Sequence, residues 1–569
     1  MKPRTIASVG LAALMTASLA ACNANTSSTT GGESGAEGVT INYWLWDDRQ
    51  APLYQQCADD FHAANPGITV KITQTAWGQY WETLTTQLAA GNAPDVFTNH
   101  SAHLLQFIDN NQIMDLTEMA KKAGVDDSIY QPGLADLSKY DGKRYGLPKD
   151  WDTEGLLYDT AVATEAGYSK EDMAELTWNP TDGGTFEQFI AKTTVDANGK
   201  NGLDPDFDKS NVVRYGFYPE WADGAIGQNG WGNLAASNGF TYGDRNVAPT
   251  KFNYSDQSLV DTVTWIHGLI DKGYAPKYDQ QSTLGTEATM NAGIAASTIQ
   301  GSFTASGYLG KDAQRAFAFA PLPKGPIGRR SAMNGLHDVV WSGTTHPDEA
   351  FKWVAYMGSE ACQVKVGESG VIFPAATKGT EASLKAREAQ GQDNSAFTSV
   401  VENKETFPVP VLAHGDEVNT LIEDAIKAIA DGADAKSTLE AAKTKADQIV
   451  SAAREEAERT TSRADAEAEA TLAQARADAE AALADAQAQA DRLVSTENIV
   501  RMAEDRAREI VADARREEAN LREGADDYVA QSLGELAGLI SDLQRRTDAG
   551  RRTIAERRGV DVTDVELHD

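Results

Sequence analysis

A break in vocabulary near residue 445 constrains this chain more than any motif. All eleven tryptophans lie before residue 354, and the last phenylalanine, proline and lysine are Phe407, Pro410 and Lys445. Beyond Lys445 the cations are arginines apart from His568, and alanine dominates. A chain can change domain without changing vocabulary so completely, so the 569 residues read as two pieces of different origin joined near 445–455. The net charge of −33 argues against nucleic acid as a partner, because neutralising phosphates needs an excess of Lys and Arg. It fits an exported, highly soluble protein.

The first piece opens with strand and helix in alternation. Val39 to Trp46 reads as a strand running into Asp47-Asp48, Pro52 to Ala63 as a helix closed by Asn65-Pro66-Gly67, and Ile68 to Ile72 as the next strand. Tyr80 to Ala90 is an amphipathic helix, with Leu84 and Leu88 four apart, that stops at Gly91. Pro94 bars further helix, and Val96-Phe97 begins a short buried strand ending in Thr98-Asn99-His100. This order predicts a parallel sheet with helices on both faces. In such sheets ligands sit beyond the carboxyl ends of strands, which makes Asp95 and Asn99 candidates to face a crevice.

Residues 1–22 carry Lys2 and Arg4, an apolar run from Ile6 to Leu19, and then Ala20-Ala21-Cys22. The run is too short to span a membrane and reads as a signal peptide. Its end resembles the lipobox of bacterial lipoproteins, which implies cleavage before Cys22 and a diacylglycerol on its sulfur. Residues 23–38 are rich in Ser, Thr and Gly and read as a flexible tether. Export would leave the other cysteines, Cys57 and Cys362, in an oxidising compartment. They are either a disulfide or two buried thiols.

Several segments resemble the extracellular solute-binding proteins of ABC importers, the sugar-binding family. They are Phe61-His62-Ala63-Ala64-Asn65-Pro66-Gly67-Ile68, Ala89 to Phe97, Asp141 to Pro148, Thr185-Phe186-Glu187, Gly370 to Pro374 and Asp348 to Trp353. They occur in the family's order across about residues 39–450. The resemblance implies an α/β two-lobed, type II-like periplasmic-binding-protein fold, with the crossover between lobes following Tyr140 to Pro148 and a ligand cleft beside it. It also implies a sugar as ligand, ABC permease subunits as partners, a place on the outer face of the cytoplasmic membrane, and no cofactor.

A sugar site needs flat rings for its C–H faces and polar groups for its hydroxyls. The ring candidates are Trp46, Trp77, Trp151, Trp221, Trp231 and Phe303. The polar candidates are Asp47, Asp95, Asn99, Asp150, Asp152, Glu220, Ser302, His337 and Asp338, with Gly335 in what the resemblance implies is a ligand-facing turn. Trp44, Trp265, Trp341 and Trp353 lie in apolar patterns and are assigned to the core. Paired carboxylates beside tryptophans also describe a glycoside hydrolase. Asp150 and Asp152, however, are two apart on an extended segment and point the same way, which does not place an acid and a base on opposite sides of a bond. No nucleophile elbow, zinc motif or phosphate loop occurs. Asp196 to Lys200 alternates Asp and Asn as a calcium loop does, but Asn201 and Phe207 stand where that loop wants Gly and Glu. A surface turn is the reading there, with no metal.

From Thr438 the pattern is one long helix. Leu472, Ala475, Ala479, Ala482, Ala486, Gln489 and Leu493 recur by three and four, a heptad seam of small residues. Ile499-Val500, Ile510-Val511 and Leu521 recur every eleven, which favours a nearly straight coil. The expected divisions are a coiled-coil helix over 451–523, an interruption at Gly524, and an amphipathic helix and tail over 524–569. Asn498 to Leu521 resembles the DivIVA-like coiled-coil proteins of actinobacteria, which implies self-association and a cytoplasmic scaffold. A lipoprotein signal would instead carry this tail outside, so the tail is either an external oligomerising stalk or a fusion of an unrelated protein.

Overall fold

The computed structural model describes residues 38–494 and 500–556, except for single residues at 225, 250, 312 and 413. The signal peptide, Cys22, the tether up to residue 37, Ile499 and residues 557–569 lie outside the described residues.

The chain opens with β1 (Val39–Leu45), α1 (Ala51–Ala64), β2 (Ile68–Gln74), α2 (Trp77–Ala90), β3 (Val96–His100) and α3 (Leu104–Asp109). Strand β1 pairs in parallel with β2 on one side and β3 on the other. Ile41, Tyr43 and Leu45 alternate inward along it, as a half-buried strand requires. Gly91 closes α2 with φ of 68°, the left-handed conformation that costs a glycine nothing. The turn before the crossover is a hairpin whose central Asp141 and Gly142 both have positive φ, 49° and 74°, as a tight primed turn demands.

Next come β4 (Gly146–Asp159), α4 (Trp231–Ser237), α5 (Gln257–Asp271), α6 (Thr286–Asn291), β5 (Ser297–Gly301), β6 (Phe317–Ala320), β7 (Ser331–Val340), α7 (Pro347–Met357), α8 (Glu360–Gly367) and β8 (Phe373–Pro374). The sheet is mixed rather than parallel, because β7 runs antiparallel to both β3 and β4. Strand β4 joins the two halves of the molecule. Its first half pairs with β7 and β8, and its second half with β5 and β6. All fourteen of its residues are buried, so its charged side chains sit where the halves meet. In the first half α1, α7 and α8 pack over Tyr43, Phe61 and Trp353. Cys57 of α1 and Cys362 of α8 form a disulfide there, with Cα atoms 5.6 Å apart. In the second half Trp178, Phe186, Phe217 and Trp265 share another core.

The chain ends in α9 (Gly415–Ala430), α10 (Ala435–Val494) and α11 (Val500–Glu556). The compositional junction is not a structural one: Leu439, Ala442 and Ala446 of α10 pack into the core beside α5, and the helix continues through residue 450 without a break. Helix α11 packs back along α10. Gly524 does not interrupt it. One glycine costs a helix interior only about 1 kcal/mol relative to alanine, which the surrounding Ala, Glu and Arg outweigh.

The seam also differs from a heptad. On α10 it runs through Ala468, Leu472, Ala475, Ala479, Leu483, Ala486 and Ala490, so Ala482 and Gln489 are exposed instead. On α11 the eleven-residue spacing falls on Ala503, Ala514, Ala525 and Leu536 rather than on Leu521, which is exposed. Three turns per eleven residues stays close to a straight helix, so an alanine seam lets both helices pack without supercoiling far.

Candidate functional site

A cavity of ≈ 290 Å³ lies between the two halves beside β4, and Trp46, Asp47, Trp77, Asp150, Trp151, Asp152, Glu220 and Phe303 line it. Trp46 follows β1 and Trp77 opens α2, so the first half supplies these two rings at strand and helix ends. They meet edge to face, with centroids 5.0 Å apart. Across the cleft, the Trp77 indole N–H donates to the Asp223 carbonyl at 3.2 Å. Trp151 stacks on Phe373 at 5.0 Å, and its indole N–H donates to Thr380. Only 5% of Trp151 is exposed.

The other sequence candidates lie elsewhere. Asp95 accepts from the Asn42 amide (2.8 Å) and the Thr344 hydroxyl (2.6 Å), tying β1 to the loop after β7. Asn99 donates to His337 at 3.0 Å, and Asp338 accepts from Thr98 and Tyr43. All three belong to buried cross-strand pairs away from the cavity. The Gly335 carbonyl accepts from Ser101, while its neighbours Asn334 and Leu336 reach the cavity. Ser302 is buried behind Phe303 and gives its carbonyl to Arg387. Trp221 and Trp231 are core, Trp231 against Phe240 and Tyr242. Glycines beside Trp231 fit tight turns there rather than opening a ligand face. The Asp196 carboxylate is occupied by the amides of Asn198, Lys200 and Asp208, which makes a turn of its own.

Sequence reasoning missed the polar lining of His100, Gln228, Asn229 and Asn334, and the ring of Phe373. His100 closes the same strand as Asn99, and Asn334 precedes the singled-out Gly335. A one-residue offset in a strand moves a side chain to the other face. These side chains form a chain of hydrogen bonds. The Ala102 amide donates to Nδ1 of His100 at 3.1 Å, which puts the ring proton on Nε2, 3.2 Å from the Gln228 carbonyl oxygen. The Gln228 amide then donates to Asp152 (2.7 Å) and Glu154 (3.0 Å). Burial, with His103 nearby, holds His100 neutral and pushes its pKa down to about 3.

Asp150, Asp152 and Glu154 follow each other at every second position of β4, so all three project from one face of the strand. Burial pushes Asp150 up to about 7, against Lys149 and with help from Asp338 and Asp47. Asp152 and Glu154 are raised well above the usual range by burial and by their acidic neighbours on β4. Glu220 is pushed up to about 7 by burial and by Asp223. The wall therefore holds carboxyl groups whose ionised form burial disfavours. Such a wall rewards a ligand rich in donors and with apolar faces. Among the described residues no group of His, Cys, Asp and Glu has the arrangement of a metal site.

The model of the bacterial extracellular solute-binding protein family matches residues 46–364. The maltodextrin-binding protein MdxE of Bacillus subtilis is 25% identical over 396 residues, covering 68% of this chain and 82% of its own. Mycobacterium tuberculosis UspC superposes with a TM-score of 0.56 at 25% identity, over 71% of this chain and 98% of its own. Listeria monocytogenes Lmo0181, solved with cycloalternan, superposes at 0.61 and 19% identity over 71% and 97%. Among the described residues no helix is long and apolar enough to cross a membrane. The chain belongs to the bacterial extracellular solute-binding proteins, the binding components of sugar ABC importers, and works by binding rather than catalysis.

Proposed function

We propose that the chain captures an oligosaccharide in this cleft and hands it to the permease subunits of an ABC importer, held to the outer face of the membrane by lipid on Cys22. The observation that carries the reading is the cavity wall, where the rings of Trp46, Trp77, Phe303 and Phe373 stand beside Asp150, Asp152, Gln228 and Asn334. A sugar offers C–H faces to the first set and hydroxyls to the second. MdxE binds maltodextrin and Lmo0181 was solved with cycloalternan, which supports an oligosaccharide. The halves close over the ligand about the strands that join them.

A thermal-shift screen of the chain against mono- and oligosaccharides tests this. A ligand at about a hundredfold over its Kd adds roughly 2.7 kcal/mol of stability, a shift of a few degrees. Silence across all sugars, from a cooperatively folding sample, overturns it.

The tail supports a second activity, self-association, in which a coil like those of the DivIVA-like scaffolds has been joined to an unrelated binding domain. Met502, Leu521, Tyr528 and Leu533 are exposed on α11 while its alanines pack on α10, which leaves apolar side chains for a second copy to cover. A monomeric sedimentation profile at high concentration counts against this.

A further inference from the structure

We infer that the preferred ligand carries a protonated amine, seated against Asp150, so that the solute class is amino-sugar glycosides with a free ammonium group. This rests on the sugar-binding reading and narrows it.

The cavity wall carries Asp47, Asp48, Asp150, Asp152, Glu220 and Asp223 against a single cation, Arg49. Arg49 is already paired, with its guanidinium on both oxygens of Glu287 at 2.9 and 2.8 Å. The protein supplies donors to most of these acids. Asp47 takes the Gln50 side-chain amide at 3.0 Å and the Arg49 backbone amide at 2.8 Å. Asp152 takes Gln228 and Asn334, Glu220 takes Gln300 and Thr286, and Asp223 takes the backbone amides of Gly227 and Asn229.

Asp150 is the buried exception. It is 4% exposed and lines the cavity; the donor beside it, the Gln50 side-chain amide, is held by Asp47 at 3.0 Å, which leaves both Asp150 oxygens without a well-formed hydrogen bond. The groups around it are Asp47 and Gln50 after β1, Tyr54 on α1, Lys149 and Asp152 on β4, and Asp338 on β7. Lys149 answers the charge in part, without a hydrogen bond to Asp150. It sits at the bulge where the pairing of β4 with β7 slips, close enough to lower the Asp150 carboxyl through its charge, but its ammonium is given to Thr98 at 3.0 Å and lies 4.4 Å over the Tyr54 ring.

A buried carboxylate without a partner is costly. A neutral hydroxyl relieves that cost with one ordinary hydrogen bond. An ammonium brings three donors and the opposite charge, in bonds roughly twice as strong. The adjoining rings of Trp46 and Trp77 also attract a cation to their faces.

The test is isothermal titration of the full chain with three sets of short oligosaccharides of matched length: glucosamine oligomers, their N-acetylated forms, and neutral glucose oligomers. The free-amine set is expected to bind about tenfold or more tighter than the other two. That preference should collapse in Asp150→Asn, once its melting curve shows a folded protein, and should survive in Asp150→Glu, which keeps the charge. Equal or tighter binding of the acetylated or neutral sets overturns the inference and leaves the sugar reading standing. A preference that survives Asp150→Asn overturns the assignment to Asp150. No binding by any set, together with silence in the broad sugar screen, overturns both readings.

Discussion

Arg49, in the loop after β1, and Glu287, on α6, meet across the mouth of the cleft with nitrogen and oxygen 2.8 Å apart. They are 238 residues apart in sequence and come from opposite halves of the molecule. Their side chains remain 34% and 52% exposed, so the pair ties one half to the other beside the cavity rather than belonging to either core. Exposed ion pairs contribute about 0.2–1 kcal/mol. Arg49→Ala should therefore weaken ligand binding by about two- to fivefold, mainly through faster dissociation in stopped-flow measurements. Adding Glu287→Ala to it should cost nothing further.

The tryptophans divide into two experimental classes. Trp46→Ala removes a ring from the cavity wall and should lower sugar affinity by about two- to tenfold, taking 0.5–1.5 kcal/mol for an aromatic contact. Trp46 also packs on Tyr80 and Trp81, so the melting temperature without ligand should fall as well, but by less than in Trp231→Ala. Trp231→Ala opens the core beside Phe240 and Tyr242 and should cost about 3–5 kcal/mol of stability. Titration and melting of the two variants separate the classes.

Raised carboxyl pKa values make the ligand-free protein less stable as pH rises. Asp150, Glu220 and Glu423 are each pushed up to about 7, mainly by burial. Between pH 6 and 8 the folded state therefore holds protons that the unfolded chain has already released, and stability falls through that window. His100 and His337, both pushed down to about 3 by burial, act in the other direction. They must charge on unfolding, and that penalty is felt below about pH 6.5. The melting temperature should fall by several degrees from pH 6 to pH 8 without ligand, and by less with a bound ligand that donates to these acids. A flat profile contradicts the assignment.

Gly524 lies inside α11 with no atom within 4 Å of where a Cβ would stand. Gly524→Ala should raise the helical stability of the tail by about 0.5–1 kcal/mol, read as a later loss of helical circular dichroism on heating. A loss of helix would mean that the chain needs glycine there to turn.

Reduction of the Cys57–Cys362 disulfide frees α1 from α8 across a sequence separation of 305 residues. Loops of that length should lose about 2–5 kcal/mol, seen as a lower denaturation midpoint in reductant.

Some of this was legible in the residues themselves. The order of strand and helix through Val96, the stop at Gly91, the extended segment carrying Asp150 and Asp152, and the helical tail all follow from local rules. Backbone sterics, side-chain period and capping act over a few residues, and the sequence displays them directly. The choice among similar side chains was settled only by tertiary structure. Trp151 between two aspartates and Trp231 between two glycines both read as ligand-facing, yet one meets Phe373 at the cavity and the other is enclosed by Phe240 and Tyr242. Asp95 just before β3 and Asp150 within β4 are both buried acids, but only Asp95 finds Asn42 and Thr344 to satisfy it. Burial of a given side chain depends on partners hundreds of residues away, and on a one-residue register between β4 and β7. No local periodicity contains that information, so the sequence determined which elements form and the packing of the two halves decided which residues face the ligand.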